Sequence, residues 1–153
     1  MKKYKNGYLA GVFDLYHVGH LNLIRRAKER CDYLMIGLLT DEMVVKLKKN
    51  PPYIPFEERK QILESVRYVD QVVAVTEENH EKMKAWNLYH FDCLFSGDDY
   101  SQNFYWQEDQ RSLRNVGSNI EFFPYTKSTS STKIKAAINR SLQKEMCRRG
   151  KYE

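Results

Sequence analysis

Short apolar runs alternate about five times with segments of helical periodicity along this chain. The runs that predict β-strands cover residues 8–10, 33–39, 71–75, 91–96 and 120–123. The segments that predict helices cover residues 21–30, a short stretch beginning at 40–42, 56–66, 78–86, about 106–115, and the residues from 133 onward. Such alternation favours a doubly wound, Rossmann-like α/β fold, in which a parallel five-stranded sheet carries helices on both faces. Ligands of these folds bind beyond the carboxyl ends of the strands.

Length and charge limit the classes of protein to consider. A chain of 153 residues suits one domain, so we assign residues 1–145 to a single domain and residues 146–153 to a basic C-terminal tail. The net charge of +5 comes from the two termini, because residues 6–147 are neutral overall. This distribution argues against nucleic acid as a partner.

The same composition bears on location. The longest apolar run, residues 33–39, is too short to span a bilayer, and no apolar signal region follows the N-terminal lysines. Three cysteines without regular spacing fit the reducing conditions of the cytoplasm. We therefore expect a cytoplasmic protein without a membrane span.

The turn between the first predicted strand and helix carries two histidines, His17 and His20, on either side of Gly19. The N-terminus of a helix favours an anion, and two imidazoles can add donors to the same phosphate oxygens. A single histidine at a helix start is often a plain polar cap, but a pair at i and i+3 favours a phosphate site. Zinc is disfavoured because the other two histidines are distant in sequence and the cysteines are isolated, so we predict no metal held by protein ligands.

Two better-known phosphate loops are absent. The chain contains neither G-x-x-x-x-G-K-[ST] nor G-x-G-x-x-G. This argues against P-loop hydrolases and dinucleotide dehydrogenases.

Nucleotidyl transfer is a reaction that the polar residues near predicted strand ends could support. A phosphate oxygen of the acceptor attacks the α-phosphorus of a nucleoside triphosphate, so the protein supplies alignment and positive charge rather than a nucleophile. Lys48, in a predicted loop at residues 46–52, could close over the α-phosphate, although a solvated lysine fits the sequence equally well. Arg59 and Arg67 could contact acceptor and nucleotide phosphates, or form surface ion pairs.

Two further polar groups follow predicted strands. Ser130, Ser131 and Thr132 precede the last predicted helix and could offer hydroxyls to the β- and γ-phosphates, or form a plain N-cap. Asp99, or its neighbour Asp98, could orient the base, the ribose or an acceptor group, or simply form a turn. Magnesium is expected to accompany the triphosphate, held mainly by phosphate oxygens and water.

The segments that carry these residues resemble the cytidylyltransferase-like nucleotidyltransferases, whose signature is G-x-F-D-x-x-H-x-G-H. The matching segments are 11–20, 56–60, 67–70, 97–99 and 130–134, and the likeness extends from about residue 8 to residue 138. The resemblance implies a nucleotidyltransferase domain of the HxGH type that uses CTP with Mg²⁺ and forms a homodimer. It also implies transfer of CMP to a small phosphorylated alcohol, with glycerol 3-phosphate as the leading acceptor.

The same resemblance assigns roles to individual residues. The implied catalytic residues are His17, His20 and Lys48. The implied nucleotide-binding residues are Val12, Phe13, Arg67, Asp99, Thr126, Ser130, Ser131 and Thr132. The implied acceptor-binding residues are Asp14, Lys48, Arg59 and His80.

Three departures from the family pattern leave the substrates open. Val12 stands where threonine is usual, and Tyr125 stands where an arginine is expected. The tryptophan expected after the third strand is absent, with His80 nearest to its place. ATP is therefore an alternative donor, and a non-catalytic nucleotide-binding regulator is the alternative outside the enzymes.

Choline or ethanolamine phosphate is the alternative acceptor. A quaternary ammonium is bound by aromatic side chains arranged as a cage. The chain could supply such a cage from Tyr100, Phe104, Tyr105 and Trp106.

Overall fold

The computed structural model of this chain describes residues 2–124 and 129–150. Its strands are Tyr4–Gly11 (β1), Cys31–Leu39 (β2), Gln71–Val75 (β3), Cys93–Gly97 (β4) and Ile120–Phe123 (β5). Its α-helices are Val18–Arg30 (α1), Asp41–Lys48 (α2), Phe56–Glu64 (α3), Lys82–Tyr89 (α4), Phe104–Asn115 (α5) and Ser131–Arg149 (α6). A 3₁₀ turn, Asp98–Tyr100, follows β4.

The strands pair in parallel in the order β3-β2-β1-β4-β5, which confirms the predicted doubly wound sheet. The chain winds outward from β1 through β2 to β3 and then returns to β4 on the other side of β1. The winding therefore reverses between β1 and β4. In such folds the ligand crevice lies at that reversal, beyond the carboxyl ends of the strands.

The two faces of the sheet carry separate apolar clusters. Leu9 of β1 packs in one cluster with Ile24 of α1 and Leu63 of α3. Its neighbour Tyr8 points to the opposite face, in a cluster with Ala85 of α4 and Leu113 of α5. Helices α1 and α3 thus cover one face and α4 and α5 the other. Each fully buried leucine or isoleucine side chain stabilises the fold by about 1.5–3 kcal/mol.

Helix α2 extends through Lys48, so the predicted loop at residues 46–52 begins later than expected. Lysine and leucine are good helix formers, and they continue the helix. Lys48 is its last residue, and the C-cap Lys49 precedes Asn50, whose helical conformation is disfavoured by the following Pro51.

Helix α4 spans Lys82–Tyr89 rather than residues 78–86. The buried Asn79 explains the later start. Its Oδ1 accepts a hydrogen bond from Thr76 N at 2.8 Å, and its Nδ2 donates to Ala74 O at 3.0 Å. These bonds hold residues 76–79 in a turn that competes with the helix.

The remaining differences concern the ends of elements. Strand β1 and helices α1, α5 and α6 begin a few residues earlier than predicted. Helix α6 continues to Arg149, so residues 146–149 of the assigned tail are helical. Within the described residues, no helix is both long enough and apolar enough to cross a bilayer.

Candidate active site

Two histidines lie side by side where β1 leads into α1. His17 is the N-cap of α1, and its Nδ1 accepts a hydrogen bond from Gly19 N at 3.0 Å. His20 lies in the first turn, and its Nδ1 accepts from His17 N at 3.3 Å. The ring centroids are 3.9 Å apart, with the planes inclined by 28°. Because both Nδ1 atoms accept, each neutral ring carries its proton on Nε2 and offers an Nε2–H donor.

Gly19 makes this arrangement of rings possible. A Cβ atom at this position would lie 2.7 Å from Cε1 and 3.0 Å from Nδ1 of His17. Any side chain there would displace the His17 ring. The packing of the His17 ring therefore requires a residue without a side chain between the two histidines.

Burial keeps both imidazoles neutral. It lowers the pKa of His17 below the ordinary value of 6.5. The pKa of His20 falls to about 3, mainly because the ring is buried and lies next to His17. The carboxylate of Asp14 opposes this shift and the charge of Lys48 adds to it. At neutral pH the pair therefore consists of two uncharged hydrogen-bond donors.

The N-terminus of α6 lies beside that of α1. A Cβ atom at Gly19 would come within 3.5 Å of Thr129 O, one residue before the N-cap Ser130. Ser130 Oγ accepts from Lys133 N at 3.1 Å, and Thr132 is exposed in the first turn. The structure thus brings the histidine pair and the Ser/Thr segment together. Two neighbouring helix N-termini make this a place that favours an anion.

Asp14 is buried, with 1% of its surface exposed, and its carboxylate is taken up by groups of the protein. Oδ2 accepts from Tyr53 N at 2.8 Å and pairs with Lys135 Nζ at 2.9 Å, while Oδ1 accepts from Ile54 N at 3.0 Å. Burial alone would raise the pKa of this carboxyl, but these three donors lower it below its usual value of 3.8. Asp14 therefore joins segments of the chain, and its predicted contact with the acceptor stays a prediction.

Arg59 is likewise buried, with 1% of its surface exposed. Its guanidinium donates to Ile54 O at 2.8 Å, to Val12 O at 2.8 Å and to Leu39 O at 3.0 Å. It also pairs with Asp41 Oδ1 at 2.6 Å. These partners surround the guanidinium at the carboxyl ends of β1 and β2 and compete with the predicted contact between Arg59 and an acceptor phosphate, which stays a prediction.

Arg67 lies at the opposite edge of the sheet. Helix α3 runs from the carboxyl edge, where Arg59 lies, to the amino edge, where the parallel strand β3 must begin. Arg67 follows that helix, and its guanidinium donates to Tyr68 Oη at 2.7 Å. Within one chain it is therefore remote from His17 and His20, and its contact with a nucleotide stays a prediction.

Lys48 is brought to the histidine pair by α2. It is exposed at the last residue of that helix, and its charge contributes to the low pKa of His20. A helix end, rather than the predicted loop, therefore carries this lysine. Its action on phosphates stays a prediction.

Two residues that precede the histidine pair, Val12 and Phe13, pack against His20 or against α2. Phe13 is buried and packs edge-on against His20, with ring centroids 5.2 Å apart. Val12 packs its side chain against a cluster that includes Met43 and Val44 of α2. Phe13 thus fixes the position of the His20 ring and Val12 that of α2, and the contact of these two residues with a nucleotide stays a prediction.

The remaining predicted site residues are Asp98, Asp99, His80 and Thr126. Asp98 and Asp99 are exposed in the 3₁₀ turn at the carboxyl end of β4. His80 follows β3, where partial burial and the charge of Lys82 lower its pKa, Glu81 opposes, and Lys46 adds to the shift. His80 thus lies beyond the carboxyl end of β3, and its contact with the acceptor stays a prediction. Thr126 lies outside the described residues.

Sequence reasoning missed three residues of this region. Lys135 and Tyr53 contact Asp14, and the Tyr16 ring stacks against His20 at 5.6 Å. The Tyr16 hydroxyl is buried without a hydrogen-bond partner among the described residues. Only Lys135 had a signal in the sequence. Its spacing of four residues from Ser131 places both on one face of α6, so Lys135 could be expected near the Ser/Thr segment.

The geometry fits the binding of a polyphosphate. Neutral Nε2–H donors, two helix N-termini and one lysine meet at the carboxyl edge of the sheet. In residues 2–124 and 129–150, no three side chains of the metal-binding types gather closely enough to hold an ion. The arrangement can therefore align phosphates and stabilise their charge, which is the contribution that nucleotidyl transfer requires.

Comparisons with known proteins agree with this chemistry. Residues 8–137 match the family model described as cytidylyltransferase-like. The chain is 39% identical over 129 residues to the glycerol-3-phosphate cytidylyltransferase of Bacillus subtilis. The aligned residues cover 84% of this chain and 92% of the Bacillus subtilis protein. It is 33% identical over 134 residues to the FAD synthase of Pyrococcus horikoshii, covering 86% and 88% of the two chains.

A solved structure supports the same fold. The lipopolysaccharide core biosynthesis protein of Thermoplasma volcanium superposes with a TM-score of 0.66, at 21% identity, over 82% of this chain and 99% of that one. The match of the family model to most of the chain decides the classification. This chain belongs to the cytidylyltransferase-like family of nucleotidyltransferases.

Proposed function

We propose that the protein transfers CMP from CTP to a small phosphorylated alcohol, with glycerol 3-phosphate as the acceptor. A phosphate oxygen of the acceptor forms a bond to the α-phosphorus of CTP. The bond from that phosphorus to the bridging oxygen breaks, and pyrophosphate leaves with the electron pair. The products are CDP-glycerol and pyrophosphate.

The observation that carries this proposal is the pair of neutral imidazoles beside the N-terminus of α6. In the proposed mechanism the Nε2–H groups of His17 and His20 donate hydrogen bonds to the phosphate oxygens where charge accumulates. The first turn of α6 holds the outer phosphates, with the exposed Thr132 as a further donor. Lys48 supplies the positive charge between the nucleotide and the acceptor phosphate.

Mg²⁺ is the proposed companion of the triphosphate. It would neutralise phosphate charge, and phosphate oxygens and water would supply most of its ligands. The protein groups would then act on the remaining oxygens.

The choice of a polyol acceptor over choline is supported by the aromatic residues after β4. Lys82 Nζ lies 3.6 Å from the centroid of the Trp106 ring and 3.0 Å from Asp109 Oδ2. Tyr100 stacks on the same indole, with centroids 4.7 Å apart. The chain thus places its own cation on the ring that a quaternary ammonium would need.

The assay that tests the proposal measures pyrophosphate release with CTP or ATP against glycerol 3-phosphate, choline phosphate and ethanolamine phosphate. We expect release with CTP and glycerol 3-phosphate, and kcat at least about a hundredfold lower in His17→Ala and His20→Ala. His90→Asn is the matched control, because His90 is an exposed residue at the end of α4 in a left-handed conformation that asparagine tolerates. CTP binding without release for any pair would instead favour a non-catalytic regulator.

The ATP alternative is favoured by one comparison, the similarity to an FAD synthase. Release with ATP in place of CTP would assign the chain to adenylyl transfer. A homodimer and a cytoplasmic location complete the proposal. Sedimentation of the purified protein at several concentrations tests the homodimer.

A further inference from the structure

The segment between α2 and α3 is held against the first turn of the site. Residues 49–55 follow Lys48 directly and contain Pro51 and Pro52. The backbone N–H groups of Tyr53 and Ile54 donate to the Asp14 carboxylate at 2.8 and 3.0 Å. The segment that follows Lys48 is therefore anchored to the buried Asp14 carboxylate, five residues after that lysine.

Helix α6 holds the same acid from the other side. Ser131 Oγ donates to Asp14 O at 2.6 Å, and Lys135 Nζ pairs with Asp14 Oδ2 at 2.9 Å. One turn further, Asn139 Oδ1 accepts from Tyr53 Oη at 3.0 Å. Lys135 Nζ also lies 5.4 Å from the centroid of the Tyr53 ring. Residues 131, 135 and 139 recur at i, i+4 and i+8, so one face of α6 makes all of these contacts.

The pairing is strong because the acid is desolvated. Asp14 has 1% and Lys135 29% of the side chain exposed. An ion pair with a buried partner resists separation, since removal of one member leaves an uncompensated charge.

We infer that Lys135 and Tyr53 are positioning residues that make α6 and residues 49–55 one unit, so that nucleotide binding at the start of α6 fixes Lys48. The inference rests on the proposed function and names a regulation of the same site. CTP that orders the first turn of α6 orders the Lys135–Asp14–Tyr53 contacts with it. The lysine is then in place before the acceptor arrives.

Hydrogen exchange of the Tyr53 and Ile54 amides, measured by NMR, tests the inference without turnover. In the wild-type protein we expect CTP to slow exchange at these amides and in the first turn of α6 by about tenfold. In Lys135→Met we expect CTP to slow exchange in α6 alone, and the two amides to exchange faster even without CTP. Lys144→Met removes an exposed lysine of the same helix and should match the wild type.

A second variant keeps the test decisive if Lys135→Met fails to fold. Asn139 is exposed, so Asn139→Ala removes the partner of Tyr53 Oη and leaves the buried pair intact. We expect about a threefold loss of the protection by CTP at Tyr53 and Ile54. CTP protection at these amides that survives in both Lys135→Met and Asn139→Ala would overturn the inference.

Kinetics separate positioning from a merely structural role. We expect Lys135→Met to raise KM for CTP and for the acceptor together by about tenfold, and Lys135→Arg to restore most of this loss. A lower melting temperature with unchanged KM values would reduce Lys135 to a structural residue. If CTP slows exchange nowhere in the wild-type protein, the proposed function fails as well. Protection confined to α6 in the wild type overturns the coupling alone.

Discussion

The guanidinium of Arg59 holds together the ends of two strands and the start of α2. Its partners are the carbonyls of Val12, Leu39 and Ile54 and the carboxylate of Asp41. We expect Arg59→Met to lower the free energy of unfolding by about 3 kcal/mol, because buried acceptors lose their donor. Urea denaturation measures this change, and kinetics under folding conditions should show KM for the acceptor within about twofold of the wild type.

Arg67→Met is the control for Arg59→Met. Arg67 is exposed at the other edge of the sheet, so we expect its loss to change stability by less than about 1 kcal/mol. A stable Arg59→Met variant with a much weaker acceptor KM would return Arg59 to the role of a phosphate ligand.

The location of the two histidines could be predicted from the sequence, whereas the burial of two charged residues could not. The proximity of His17, His20 and the Ser/Thr segment followed from their places after strands. The roles of Asp14 and Arg59 did not, because charged side chains are mostly exposed and nothing in a sequence marks one as buried. The low pKa of His20 was also hidden, since it depends on the packing of rings and on Lys48 at the end of α2.

Helix α2 ends at a residue with an unfavourable conformation. Lys49 has φ +67° and ψ −11°, in the left-handed region that glycine adopts without strain. We expect Lys49→Gly to stabilise the protein by about 0.5–1 kcal/mol, as measured by urea denaturation. Lys60→Gly, in the interior of α3, should instead destabilise by about 1 kcal/mol. Destabilisation by Lys49→Gly would mean that the lysine side chain holds the helix end.

The bounds of elements were the least predictable part of the fold. A cluster of lysines before two prolines favoured a loop, whereas helix propensity carries α2 to the last residue that the prolines allow. The start of α4 depended on the hydrogen bonds of Asn79, which a polar sequence does not reveal. Helix propensity thus decided the end of α2, and side-chain hydrogen bonds decided the start of α4.

The topology was predictable because alternation of strands and helices admits few arrangements. It also gathered the histidine pair, the Asp98–Asp99 turn and the start of α6 at the carboxyl edge. The same rule places Arg67 at the amino edge, since a helix between parallel strands must cross the sheet. The sequence therefore did not reveal that Arg67 lies apart from the histidine pair within one chain.

The stability of the folded protein should fall as the pH falls from about 6.5. The pKa values of His17, His20 and His80 are lowered on folding, that of His20 to about 3. Below 6.5 the unfolded chain takes up protons that the folded chain does not, so acid favours unfolding. The lowered pKa of Asp14 adds a further loss below its usual value of 3.8, because there the unfolded chain protonates this carboxyl while the folded chain keeps it ionised.

Urea denaturation between pH 7 and pH 4 measures this loss in the wild type and in His20→Asn. The variant lacks one group that gains a proton on unfolding, so we expect its stability to depend less on pH, by up to about 1.4 kcal/mol per pH unit. His90→Asn, which replaces an exposed histidine at the end of α4 by the same residue, serves as the control for the substitution itself. Equal slopes in His20→Asn and the wild type would show that His20 is protonated in the folded protein, and the neutral donor pair would have to be abandoned.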